Sequence, residues 1–361
     1  MDFRPSPAQR LLTATARDYL RRHCPIELVQ ALARDAKGFQ PTLWRGMAEL
    51  GWPGLLIPGD YGGSDGALLD VILLVEELGY ASVPGPYVTS AVAATSLLLE
   101  TSEAERKRVL PALATGDRIA TLALVEAGGS FDPDLLTLTA GGGRLTGRKL
   151  FVKDAHVADD LIVVLRDGAL LLPGDRPGIA RVPLATMSDE KLFEVRFDGV
   201  EVRAAERLSV GREAVAIALR AGALARTAEM VGAAQKILEM TVEHARTRVQ
   251  GGRPIGGHQA VQHACADLVR DVDCARGLLY TTAWAVSDGR AAAADVSMAK
   301  AYAGEACLAV ARRAHQIFGA ISYCEEHPLH LIHKRIQAAS LDFGDAALHL
   351  ERVARAIGLE A

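Results

Sequence analysis

The chain is 361 residues long, half hydrophobic and 23% charged, which is enough for two or three domains whose cores need neither disulfide nor metal. With 40 Lys+Arg against 44 Asp+Glu it is no dedicated nucleic-acid binder. Its five cysteines are scattered without a C-x-x-C pair, as expected of reduced thiols in a cytoplasmic protein. Met1 to Arg10 is polar and carries two prolines, unlike a secretory leader, and no apolar run is long enough to span a bilayer.

The stretch to about residue 115 reads as helical. Pro7 opens an amphipathic helix with Ala8, Leu12, Ala16 and Tyr19 at helical spacing. Leu43 to Leu50 is a short helix stopped by Gly51. Leu68 to Leu78 is apolar nearly all round, so it belongs inside the protein, and Gly79 reads as its C-cap. The punctuated run Ile57-Pro-Gly-Asp-Tyr-Gly-Gly-Ser-Asp-Gly66 between them is a loop. From about 118 to 203 the texture changes to short apolar or alternating runs: Thr121 to Val125, Leu136 to Thr139, Leu150 to Val152, Leu161 to Leu165 and Glu194 to Phe197. Gly-rich turns separate them, which predicts a compact β-domain. Helices return as Glu213 to Thr247, Gln259 to Asp288, Ala292 to Phe318 and a last one from Pro328 to Ile357. The first of these carries a face of small residues (Ala221, Ala225, Ala228, Gly232) suited to close packing, and long helices on short loops form a bundle. The expected fold class is α+β, with an N-terminal helical domain (1–116), a middle small β-barrel or sandwich (117–208) and a C-terminal four-helix bundle (209–361).

Several segments sharpen this order. Leu50-Gly-Trp-Pro-Gly-Leu-Leu-Ile-Pro58, Asp60-Tyr-Gly-Gly63 and Glu76-Glu-Leu-Gly79 come first. Gly147-Arg-Lys149, Phe151-Val152 and Phe197-Asp-Gly-Val-Glu-Val202 follow, then Arg248-Val-Gln-Gly-Gly-Arg-Pro-Ile255 with His258-Gln-Ala-Val-Gln-His263 and Ala266-Asp-Leu268. Gln316-Ile-Phe-Gly-Ala320 and Glu326-His-Pro-Leu329 close the series. Together, and in this order, they resemble the acyl-CoA dehydrogenase family over nearly the whole chain. The resemblance implies a tetramer that binds FAD and oxidises an acyl-CoA thioester between its α and β carbons. A carboxylate takes the α-proton, the flavin takes the hydride, and an electron-transfer flavoprotein takes the electrons onward.

Residue by residue, the resemblance assigns Arg248 and Gln250 to the FAD diphosphate, and Gln316, Gly319 and Ala320 to the family's Q-x-x-G-G turn. A guanidinium suits a diphosphate, although a cation near a helix C-terminus is favoured in any case. Gly251 and His258 stand where the family has Phe, and Ala320 replaces the second glycine of the turn. Over the flavin, Val125-Glu-Ala-Gly-Gly-Ser-Phe-Asp132 answers to T-E-P-x-x-G-S-D and points to Ser130, either by itself or, after a one-residue slip, as the Gly-Ser pair with Gly129. Phe151-Val-Lys-Asp154 answers to F-I-T-N, which puts Lys153 where a hydroxyl normally meets the flavin ring. For both Ser130 and Lys153, a plain exposed loop is an equally good reading.

The catalytic carboxylate is the telling position. Counting without gaps, its usual motif Y-E-G-T falls on Asp342-Phe-Gly-Asp345, so the glutamate position is Phe343; the alternative seat, on the helix before Arg248, is Gly222. Neither side chain can accept a proton. Asp342 and Asp345 flank Phe343 and would point elsewhere on a helix, and Glu229 lies two turns beyond Gly222. All three read as structural or surface carboxylates. His327, His330 and His333 lack the pattern of a metal site.

Some relatives acting on bulky thioesters, such as steroid side chains, form α2β2 assemblies in which one subunit type carries the base and the other completes the flavin site. This chain resembles the second type. Its expected partners are an acyl-CoA, a homologous base-carrying subunit (or its own copies) and an electron-transfer flavoprotein, with no nucleic acid and no membrane. Alternatives are a self-sufficient dehydrogenase using Asp342 and a non-catalytic flavoprotein or flavin-free scaffold. A flavin monooxygenase of the same fold is a weaker reading.

Overall fold

The computed structural model describes residues 5–359; the first four residues of the polar N-terminal segment lie outside it. The chain divides into two compact units. The first comprises residues 1–31, 68–83 and 223–361, and the second residues 32–67 and 84–222.

The first unit is helical. α1 (Pro7–His23) starts at a capping box in which Ser6 and Gln9 satisfy each other's backbone N–H groups, and ends on Arg21, Arg22 and His23 against the helix dipole. α2 (Ile26–Arg34) follows it in the chain, α3 (Pro41–Glu49), α5 (Thr95–Leu99) and α6 (Glu103–Ala114) belong to the second unit, and α4 (Leu68–Tyr80) buries Val71 to Val75 and Leu78. α7 (Arg212–Thr247) joins the unit from residue 223 on, followed by α8 (Gln259–Ser287) and α9 (Ala293–Phe318).

Gly79 is not the C-cap expected of it: it lies within α4, and its reason is a helix crossing. A Cβ on Gly79 would stand 2.2 Å from the Glu229 carbonyl oxygen, and one on Gly232 would stand 1.9 Å from that of Glu76. The backbones of α4 and α7 therefore touch, with a glycine on each side of the contact.

The expected last helix is two. α10 (Leu329–Leu341) and α11 (Ala346–Ala356) are separated by a turn at residues 342–345. Phe343 has φ 59° and Gly344 φ 107°, conformations no helix tolerates, and Asp345 caps α11 by accepting from the Leu348 N–H at 2.9 Å.

The second unit holds the β-structure. β1 (Ala120–Ala123), β4 (Asp160–Leu165), β5 (Gly168–Pro173) and β8 (Arg207–Leu208) form one four-stranded sheet. β2 (Ala140–Gly141), β3 (Arg144–Lys153), β7 (Leu192–Glu201) and β6 (Ile179–Leu184) form the other. β1 and β4 run parallel; β4 and β5 are fully buried or nearly so, which explains their unbroken apolar runs. The expected strand at Leu136 to Thr139 does not form. The Glu126 carboxylate takes the Thr137 and Leu138 N–H groups at 2.9 and 3.1 Å, and these cannot then join a ladder.

Candidate active site and cofactor cradle

Where α7 ends, the chain makes a small hairpin. β9 (Val249–Gln250) pairs antiparallel with β10 (Arg253–Pro254) around Gly251 and Gly252, whose φ values of 63° and 80° are those of a two-residue hairpin turn. That turn accounts for glycine at 251, where the resemblance expects Phe. Arg248 and Gln250 are exposed, and their side chains have no hydrogen-bond partner among the described residues. Gln316 is likewise exposed at the end of α9, and Gly319 (φ 70°) and Ala320 follow it. The two segments meet at one end of the helical unit: His244, one turn before Arg248, stacks on Phe318 at 4.3 Å between ring centres. Phe318 in turn meets His327 at 4.7 Å. Burial, and then the Arg248 charge, push the His244 imidazole below its usual range. A guanidinium, two free amides and accessible backbone at positive-φ glycines make a donor set suited to a diphosphate and its ribose.

The remaining predicted cofactor residues lie in the second unit. There the loop after β1 is held to β3 from two directions. Leu150 N–H donates to the Val125 carbonyl at 2.7 Å, and the Lys149 ammonium, with no exposed surface, reaches the Leu124 carbonyl at 2.9 Å and Glu126 Oε1 at 2.7 Å. Burial alone would raise the Glu126 carboxyl, but the bonds from Lys149, Thr137 and Leu138 outweigh it and hold the group down to about 2. Ser130 Oγ accepts from the Asp132 N–H at 3.0 Å, an ordinary loop bond. Lys153 pairs with Glu190, so its ammonium is engaged within the unit, while its carbonyl accepts from Thr121 Oγ at 2.7 Å. The register shift between Lys149 and Val152 throws Phe151 to φ 53° and leaves it half exposed.

The turn at residues 342–345 holds the position that motif counting assigns to the proton acceptor. Phe343 is buried, 6% exposed, and its carbonyl accepts from His349 Nε2 at 3.2 Å. Below it, Lys300 is buried in α9 and donates to the carbonyls of Ser340 (2.7 Å) and Gly344 (3.0 Å) on either side of Phe343. Burial pulls its ammonium down to about 8. Burial likewise pulls His349 to about 4, with Lys300 and Arg352 adding to the effect, so the ring is neutral, accepting from Ser297 Oγ at 3.1 Å. The carboxylates nearby are all engaged. Arg226 Nε donates to Asp342 Oδ2 at 2.8 Å, and the same guanidinium pairs with Glu229. Asp345 caps α11. The other seat, Gly222, lies buried on α7, four residues before Arg226.

Sequence reasoning set Asp342 aside by its angle on a helix, whereas in the structure it lies on a turn and pairs with Arg226. Arg226, Lys300 and His349 were not foreseen. The available signal was a charge within a run of small or apolar residues: Arg226 between Ala225 and Thr227, Lys300 between Ala299 and Ala301.

Among the described residues no three His, Cys, Asp or Glu side chains are placed to hold a metal, and no helix is long and apolar enough to cross a membrane. His330 donates instead to the Glu325 carbonyl at 3.3 Å, and the ring of His333 meets that of His315 at 5.1 Å.

Family models agree with this architecture. That for the acyl-CoA dehydrogenase N-terminal domain matches residues 6–117, and that for the C-terminal domain matches residues 210–358. Acyl-CoA dehydrogenase IpdE2 of Mycolicibacterium smegmatis is 30% identical over 349 residues, 96% of this chain and 98% of the relative. The chain belongs to the acyl-CoA dehydrogenase family. Acyl-CoA dehydrogenase FadE27 of Mycobacterium tuberculosis is 32% identical over 370 residues, covering 98% of each chain. Among solved structures, a chain of the ChsE4-ChsE5 complex from Mycobacterium tuberculosis superposes with a TM-score of 0.91 at 29% identity, covering 100% of both chains. As a member of this family the protein is an FAD-dependent acyl-CoA dehydrogenase of the α+β fold read from its sequence.

Proposed function

We propose that this chain is the subunit of a hetero-oligomeric acyl-CoA dehydrogenase that completes a flavin site while a homologous partner supplies the catalytic carboxylate. One observation carries the reading. The position that motif counting gives to the base carries the buried phenyl ring of Phe343, and the neighbouring carboxylates Asp342, Glu229 and Asp345 are committed to Arg226 or to a helix cap. Asp342, tied to the buried guanidinium of Arg226, is not free to approach a thioester, which counts against the self-sufficient alternative built on it. The ChsE4-ChsE5 complex, to one chain of which this protein is similar throughout, joins two differently named chains.

In this reading Arg248 and Gln250 bind the FAD diphosphate, and Gln316, Gly319 and Ala320 line its ribose side. Ser130 and Lys153 belong to the loops that face the flavin ring, where Lys153, engaged by Glu190, contributes its backbone. When bound, FAD supplies the acceptor for the hydride that leaves the β-carbon. The chain's own residues bind and orient that group and, around Phe343, present hydrocarbon where water would otherwise enter. The domain roles follow the division 1–116, 117–208 and 209–361, the last carrying FAD binding and oligomerisation. The assembly is a cytoplasmic tetramer, its substrate an acyl-CoA such as a steroid side-chain thioester, and its electron acceptor an electron-transfer flavoprotein.

The test is to purify the chain alone and after co-expression with base-carrying homologues, and to follow bleaching of the flavin band by acyl-CoA. The complex should bleach about a hundredfold or more faster than the lone chain, the usual contribution of a general base. A lone chain turning over at the rate of the complex would overturn the proposal.

A further inference from the structure

The helical unit holds a cavity of about 560 Å³ that none of the roles above uses. That volume falls within the range of small-molecule sites, about 300–1,000 Å³. Its apolar wall includes Leu20, Met240 and Ile332, and Leu20 and Ile332 are each 1% exposed.

Its polar lining is mostly cationic: Arg17, Arg21 and Lys236 against the carboxylate of Glu77. Two of these charges are already matched. Arg17 forks onto Glu77 and lies over the Tyr80 ring at 3.6 Å, and Arg21 pairs with Asp18 at 2.9 Å. Lys236 has no carboxylate partner among the described residues; its ammonium stands 5.1 Å from the Tyr80 ring centre. Tyr80 is itself fixed, its hydroxyl donating to Glu239 at 2.5 Å.

A second, independent observation points the same way. Ser82 lines the cavity, and also a much smaller neighbouring one with Gly79 and Glu229; it is 3% exposed, and its hydroxyl has no hydrogen-bond partner among the described residues, although an unmade buried hydrogen bond is costly. Its backbone sits at φ 53°, rare for a residue other than glycine, and is held there by Arg335, which donates to its carbonyl. An uncompensated ammonium, an unused buried hydroxyl and an apolar wall in one cavity describe a binding site for a molecule with a negative end and a hydrocarbon body.

We propose that this cavity binds an amphipathic organic anion, its hydrocarbon against Leu20, Met240 and Ile332, its charge at Lys236 and its oxygen within reach of the Ser82 hydroxyl. The site is built from the helical unit alone and stands independently of the partner-subunit reading.

Sodium decanoate and neutral decanol serve as probes in calorimetric titrations of the full chain, in whichever assembly it purifies. Decanoate should bind about tenfold tighter than decanol, the strength of a charge-assisted bond. Lys236→Glu, on a half-buried surface position, should abolish that preference, Ser82→Ala should weaken decanoate about threefold to tenfold, and Met240→Trp should fill the cavity and remove binding. Equal affinity for decanoate and decanol would overturn the proposal, as would decanoate binding unchanged in both Lys236→Glu and Met240→Trp. Should Met240→Trp fail to fold, Lys236→Glu decides alone.

Discussion

Two regions of the helical unit treat their polar groups in opposite ways. At the end of α7 and α9, Arg248, Gln250 and Gln316 are exposed and have no side-chain hydrogen-bond partners among the described residues, and the glycines beside them are open to space. At the turn between α10 and α11 nearly every polar group is committed internally: Asp342 to Arg226, Asp345 to a cap, Lys300 to two carbonyls, and His349 to Ser297 and Phe343. Unspent donors on a surface invite a ligand; a turn whose groups are all matched has become architecture. In the proposed reading the first region holds the cofactor and the second no longer offers a free carboxylate.

The comparison breaks most readily at Arg226. Arg226→Ala strands Asp342 and Glu229 and should cost about 3–5 kcal/mol of stability, read as a lowered denaturant midpoint. A melt like wild type would mean the turn is not built as described. The next effect is pH. Because His349 falls from 6.5 to about 4 on folding, the unfolded chain binds the extra proton first. The stability it contributes is present above about pH 6.5 and is lost as pH falls through 4, about 3 kcal/mol in all. His349→Gln should flatten thermal melts over that window. Arg248→Ala gives the opposite pattern, stability within about 0.5 kcal/mol of wild type but flavin retention reduced about tenfold, seen in the ratio of flavin to protein absorbance of the purified assembly. Full flavin retention would remove Arg248 from the cradle. Asp345→Ala should cost least, about 1 kcal/mol for a lost cap, with flavin content unchanged.

Much of the fold was legible because its signals are local and repeated. The long helices declared themselves through residue type, and the starts of α7, α8 and α9 fall within a residue of expectation. The break at residues 342–345 was not legible, because Leu-Asp-Phe-Gly-Asp-Ala contains one glycine and otherwise tolerable helix residues; the turn is held partly by Lys300, 44 positions before Gly344, which no local window contains. Leu136 to Thr139 failed for a related reason: an alternating run was claimed by a carboxylate ten or more residues away. The proposed absence of a base at Phe343 rests on the sequence alone, by counting from neighbouring motifs. What holds Asp342, a guanidinium 116 positions earlier, was not legible.

The bare contact of α4 with α7 has a consequence for change over generations. With a carbonyl oxygen 1.9 Å from where a methyl group at position 232 would sit, even alanine there demands that a whole helix retreat. Neither partner can drift alone. The pair acts as a fixed gauge for the spacing of these two helices.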